Sequence, residues 1–352
     1  MGSDRGLSAV ERLQAAVARA LVRLPRFALR LVAGPPIVIG GQELDLQIQA
    51  VLVLARLLRP PRPHAASVAA ARHELELSCA VFPPPAPPLA GVDELSIPSP
   101  AGPRPARLYR PRGAATPAPA LLFFHGGGFV EGSLDTHDGI CRVLCARARC
   151  AVVSLDYRLA PEHPFPAAIE DGAAAFRHLV GAAPALGLDP RRLAVGGDSA
   201  GGNLAAVLCQ TTRDEALRPC FQLLVYPALD MTLSLPSITT YARGFFLEKE
   251  TMEWFRSHYL PAGTSLRDPL ASPLHGDCRG LPPALVMTAG FDPLRDEGEA
   301  YAGRLREAGV PVEYRLYPSL FHGFLGAGGG IDAARAPLED AALALGRALG
   351  TA

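Results

Sequence analysis

Three observations predict an α/β fold, with a mostly parallel central sheet flanked by helices. Short apolar runs of strand length alternate with longer helical patterns over most of the chain. One such run, residues 192–196, leads through Gly197-Asp198-Ser199-Ala200-Gly201 into a helical pattern at 202–208. Another, residues 120–124, ends in His125-Gly126-Gly127-Gly128-Phe129. Glycine-rich turns at the ends of buried strands are where such folds gather functional groups.

Along the chain, residues 8–33 read as one or two amphipathic helices divided at Pro25. Arg12, Arg19, Arg23, Arg26 and Arg30 are spaced by seven, four, three and four residues, so they can line one stripe. That stripe reads as a solvated helix face, with a weak membrane-surface contact by residues 8–33 as the alternative. Proline-rich stretches at 58–63 and 83–88 lead to first strands near 93–97 and 106–109. Strands follow at 151–155, 221–226, 285–290 and 312–317, and a helix at 167–181. Residues 230–260 interrupt the alternation with an aromatic-rich helical pattern holding Tyr241, Phe245, Phe246, Trp254, Phe255 and Tyr259. These read as ordinary helix core, and any that face a cleft would supply an apolar pocket, the two readings being compatible.

Composition excludes several classes. Lys+Arg and Asp+Glu are equal at 34 each, so there is no basic footprint for nucleic acid. The 7 cysteines are odd in number and lack a C-x-x-C, which argues against a disulfide framework or a zinc site and for a reducing, cytoplasmic setting. Cys141 and Cys145 share a helix face and are expected to be buried. No signal peptide is evident in residues 1–6, and the apolar stretch at 48–58 is too short to span a bilayer.

The pentapeptide has the form of a nucleophile elbow, in which a tight strand-to-helix turn lifts a serine clear of the sheet. The alternative is a glycine-rich strand-to-helix turn of any α/β protein. Its partners carry the argument. The Gly126–Gly128 run leaves backbone amides uncovered by side chains, as a site for a developing oxyanion requires. Asp292 sits just past the strand at 285–290, and Asp296 is its competitor, placed near the start of the next helix. His322 is the sole histidine after Asp292, giving the order Ser199, Asp292, His322 of the α/β-hydrolase fold. The other histidines, among them His73, His137, His178, His258 and His275, read as structural or surface residues.

With these motifs in order, together with residues 157–167 (Tyr157 through Ala167) and Asp292-Pro293-Leu294-Arg295-Asp296, the chain resembles the bacterial hormone-sensitive-lipase-like esterases, the branch with a GDSAG elbow. The resemblance runs from about residue 90 to the C-terminus and implies an α/β-hydrolase fold with a helical cap. It implies Ser199 as nucleophile, His322 as base, Asp292 as the orienting acid, and an oxyanion hole from the amides of Gly127, Gly128 and Ala200. His125 would be a structural residue of its loop, and 157–167 scaffold beneath the site. The resemblance assigns 1–85 to a cap segment and linker, 86–229 and 263–352 to the catalytic domain, and 230–262 to a second cap segment. It also implies a small ester as substrate, with a short to medium acyl chain, no metal or organic cofactor, no integral membrane association, and a monomer or homodimer. A lipase on longer-chain acylglycerols and a non-catalytic small-molecule-binding protein are the alternatives.

Overall fold

The computed structural model describes residues 8–58, 67–113 and 115–351. The opening residues 1–6 and most of the 58–63 proline stretch lie outside them. The chain opens with helices α1 (Ala9–Leu21) and α2 (Arg26–Ala33), a two-strand hairpin β1 (Val38–Ile39) and β2 (Gln42–Glu43), and helices α3 (Leu46–Leu58) and α4 (Val68–Val81). Then come β3 (Gly91–Ile97), β4 (Arg104–Arg110), β5 (Ala118–Phe124), α5 (Asp138–Ala148), β6 (Ala151–Leu155), α6 (Ala167–Leu186), β7 (Leu188–Asp198), α7 (Ala200–Thr211) and β8 (Gln222–Val225). Helices α8 (Pro236–Thr240) and α9 (Lys249–Tyr259) precede β9 (Ala284–Phe291), α10 (Arg295–Glu307), β10 (Val312–Phe321) and α11 (Arg335–Leu349).

The main sheet has the order β10-β9-β8-β7-β5-β6-β4-β3. The six strands from β10 to β6 pair in parallel, and β4 and β3 add antiparallel at one side. The central strands β5, β6, β8 and β9 are buried along their whole length. That is why they read as unbroken apolar runs and not as alternating ones. Helices α6, α7 and α10 pack with one face of the sheet into a core that includes Phe124, Val195 and Val286. On the other face, α5 and α11 close over Phe123, Val225 and Met287, and Cys141 and Cys145 are buried there as expected.

Helix α4 is absent from the sequence reading. Ser67 caps it by accepting from the Ala70 amide at 3.3 Å. It packs against α1, and Arg19 of α1 donates to the carbonyls of Ala80 and Val81 at its end. Arg19 is therefore tied to a neighbouring helix, while Arg30 reaches Glu43 at 3.7 Å. The remaining surface of α1 and α2 is not a simple charged face. Leu13, Phe27 and Leu31 are 64%, 73% and 83% exposed, beside the exposed Arg12, Arg23 and Arg26.

Candidate active site

A parallel sheet aligns the C-terminal ends of its strands, so residues distant in sequence collect at one rim. His125 follows β5, Ser199 follows β7, Asp292 follows β9, and His322 follows β10. At the end of β7 the chain turns at Ser199 with φ +54° and ψ −117°, a left-handed conformation that costs a serine on the order of 1–3 kcal/mol. The surroundings leave no alternative. A side chain on Gly197 or Gly201 would run into the Phe124 carbonyl oxygen. The Ser199 amide donates to Val225 O at 2.9 Å, which anchors the turn to the neighbouring strand end.

The structure brings the three residues singled out in the sequence together. His322 Nε2 lies 3.0 Å from Ser199 Oγ, and His322 Nδ1 lies 2.9 Å from Asp292 Oδ2. Asp292 is fully buried, and its Oδ1 accepts from the Leu294 amide at 2.8 Å. The Tyr226 ring packs on the imidazole with centroids 4.6 Å apart. Asp296 is directed elsewhere. It accepts from the Ser237 amide at 2.8 Å and pairs with Arg295, so it ties α10 to α8.

The amides of Gly127, Gly128 and Ala200 donate to no protein acceptor among the described residues. Ala200 is the first residue of α7, where aligned peptide dipoles favour negative charge. The glycine loop is pinned to the elbow. The Gly126 amide donates to Asp198 Oδ1 at 2.9 Å, and the same oxygen lies 3.1 Å from His137 Nε2. Burial pushes the Asp198 pKa up, but His137 and the Gly126 amide outweigh it and bring it below its ordinary value. His125 is buried, stacked on Tyr157 at 4.3 Å, and receives the Tyr157 hydroxyl at its carbonyl at 2.7 Å. Burial, reinforced by the charge of His137, lowers its pKa to about 3, so it is neutral. Below it, Arg158 pairs with the fully buried Asp171 at 2.9 Å and steadies the 157–167 segment.

Several of these residues escape sequence reasoning. Asp198 is inside the motif, yet its partner His137 is far upstream and reads only as a structural or surface histidine, with nothing to link it to Asp198. Glu297 reads as a helix acid. It is buried, and its Oε1 accepts the amides of Leu229 and Asp230, holding the loop after β8. Burial keeps its pKa well above the carboxylate range. The aromatic-rich segment divides. Tyr241 and Phe245 pack with Phe291 in the core, whereas Phe246, Phe255 and Tyr259 line a cleft. The Phe255 ring rests where a side chain on Gly128 would have to stand, and Gly128 has φ +59°. That cleft, about 2580 Å³, opens over Ser199 and His322 and takes its walls from α1, α3, α4 and α9. Among the described residues, no group of three or more His, Cys, Asp or Glu side chains could hold a metal ion.

The fold and this rim define an α/β hydrolase. A model of the alpha/beta hydrolase fold family matches residues 121–326, and the chain belongs to that family, in its hormone-sensitive-lipase-like branch. It is 45% identical to the carboxylic ester hydrolase LipN of Mycobacterium tuberculosis, over 86% of this chain and 82% of that one. It is 43% identical to an ethyl acetate hydrolase of Pseudomonas putida, over 65% and 74%. Among solved structures, the ester-hydrolase EH1AB1 from the metagenome of Lake Arreo, complexed with a derivative of bipyridine phosphonate, superposes with a TM-score of 0.85 at 44% identity. It covers 88% of this chain and 100% of that one. The protein is a carboxylic ester hydrolase.

Proposed function

We propose that the protein is a serine carboxylesterase acting on short- to medium-chain acyl esters through an acyl-enzyme. His322 Nε2 takes the proton of Ser199 Oγ as that oxygen attacks the ester carbonyl. Asp292 accepts from His322 Nδ1, fixes the tautomer and stabilises the imidazolium that forms. The carbonyl oxygen, now anionic, is received by the amides of Gly127, Gly128 and Ala200. Collapse of the adduct breaks the ester C–O bond, and His322 returns the proton to the leaving alcohol. Water then enters by the same route in reverse, and the acid leaves with Ser199 restored. The observation that carries this reading is the unbroken Ser199, His322, Asp292 hydrogen-bonded chain beside three unengaged amides. A fluorophosphonate probe tests it. One equivalent per chain should attach to Ser199, and an unlabelled serine would defeat the proposal.

The short acyl preference draws support from the ethyl acetate hydrolase among the relatives. Residues 1–85 and 230–262 serve in this reading as two cap segments, and the described parts of both contribute to the cleft walls. A cytoplasmic setting fits the 7 unpaired cysteines. Among the described residues, no helix is long and apolar enough to cross a membrane. The outer face of α1 and α2 supports a second, weaker association. Exposed Leu13, Val17, Phe27 and Leu31 next to Arg12, Arg23 and Arg26 fit an anionic lipid surface.

A further inference from the structure

We propose that Phe255 and Tyr259 of α9 are positioning residues for the oxyanion hole, their rings holding its loop at Gly128 and Phe129 from outside. The inference rests on the serine-esterase reading of the same loop. The carbonyls of this loop are fixed by hydrogen bonds. Gly127 O accepts from the amides of Val130 at 3.0 Å and Glu131 at 2.8 Å, and Phe129 O from the Ala160 amide at 2.9 Å. Val130 O accepts from Arg72 Nε of α4 at 2.8 Å. The Gly127 and Gly128 amides differ, because they donate to no acceptor among the described residues. An amide kept open for a developing oxyanion has no bond of its own to aim it, so packing has to aim it.

That packing comes from one helix. Gly127, Gly128 and Phe129 have φ of +118°, +59° and +65°, three positive values in succession. Such backbone is strained at a phenylalanine and persists only where the surroundings leave no other choice. The Phe255 ring fills the space over Gly128 that a side chain would need. One turn on, the Tyr259 ring lies flat on Phe129, with centroids 3.8 Å and planes 4° apart. Residues four apart share a helix face, so α9 presents both rings to the loop together. The helix is anchored in turn. Arg256 Nη1 donates to Met231 O at 2.8 Å, the Phe165 amide donates to Tyr259 O at 2.9 Å, and the Phe165 ring meets Tyr259 edge-on at 5.8 Å. Without the two rings, Gly128 and Phe129 are free to relax and to turn the open amides away from the carbonyl oxygen.

The test compares two reversible inhibitors of equal chain length on the whole protein. An alkyl trifluoromethyl ketone adds Ser199 Oγ at its carbonyl carbon and places an oxyanion in the hole, whereas the matching methyl ketone occupies the cleft largely without adding. The methyl-to-trifluoromethyl ratio of Ki therefore reads the hole and cancels the pocket. Phe255→Leu and Tyr259→Leu should each lower that ratio about tenfold and lower kcat in step, a fraction of what loss of a whole oxyanion donor costs. Tyr259→Phe keeps the stacked ring, and the hydroxyl it removes has no partner among the described residues, so both quantities should stay within about threefold of wild type. Active sites are counted with the fluorophosphonate probe, so a misfolded fraction drops out of kcat. An unchanged ratio in either leucine variant overturns the proposal, and is the result expected of a ring that merely lines the pocket and weakens both inhibitors alike. Equal loss in Tyr259→Phe and Tyr259→Leu also overturns it. A wild type that takes no fluorophosphonate and binds both ketones alike would instead sink the esterase reading, so the two failures are distinct.

Discussion

The rim of the sheet and the N-terminal helices meet across one cleft but are held by different means. At the rim, backbone approaches backbone so closely that Gly197 and Gly201 have no room for a side chain, and buried polar groups lock each loop to the next. The N-terminal helices hold to one another through side-chain-to-carbonyl bonds such as Gln47 to Val22 O and Gln49 to Ala33 O, and to the body through buried Ile48 and Leu52 and the Arg72 side chain. They leave Phe27 and Leu31 largely in solvent. The difference teaches where each property resides. Chemistry needs sub-ångström placement, which the interlocked rim supplies, while the layer above supplies walls of the cleft.

The comparison can be broken or sharpened by substitution. Ser199→Ala should cost roughly a millionfold in kcat with unchanged circular dichroism, because an activated nucleophile has no substitute. Asp292→Asn should lower kcat by about ten thousandfold in a steady-state assay, since the amide stabilises the wrong imidazole tautomer. Gly128→Ala should lower kcat by about a hundredfold, as a new Cβ meets the Phe255 ring and the +59° φ resists any side chain. If it left kcat intact, the rim would be less rigid than described. On the outer layer, Phe27→Ser with Leu31→Ser should reduce co-sedimentation with anionic phospholipid vesicles about tenfold. Persistence of binding would refute the lipid-facing reading.

The smallest effect concerns Glu131. Its folded-state pKa of about 8 lies above the ordinary 4.5, so the folded protein binds a proton that the unfolded chain releases. Stability from this group is present below about pH 4.5 and is lost as pH rises toward 8. Glu131→Gln should therefore gain in Tm relative to wild type over that window, by about a few degrees at pH 8, read by thermal denaturation. A difference that is flat with pH would contradict the assignment.

The rim was legible in the sequence because its geometry forces residue choice locally. Glycines on either side of Ser199, three glycines after β5, and an acid and a histidine just past two apolar strands each leave a short signature. Contacts between distant segments leave none. Asp198 meets His137 across 61 residues, and neither position has a periodic or motif signal that names the other. Helix α4 was missed for a different reason. Its run from Val68 to Val81 is rich in helix formers but has no regular apolar stripe, and it is flanked by prolines. The Arg12–Arg30 spacing suggests one stripe but cannot tell that Arg23 falls in the turn between α1 and α2, or that Arg19 turns inward onto Ala80 and Val81.

Arg72 carries a consequence for traffic. One side chain on α4 grips the carbonyls of Val130 and Ala160 and the carboxylate of Glu162. To swing α4 aside, all of these bonds must break at once, and the loop that begins at Gly127 would be tugged with it. Helix α4 is thus a doorpost and not a door.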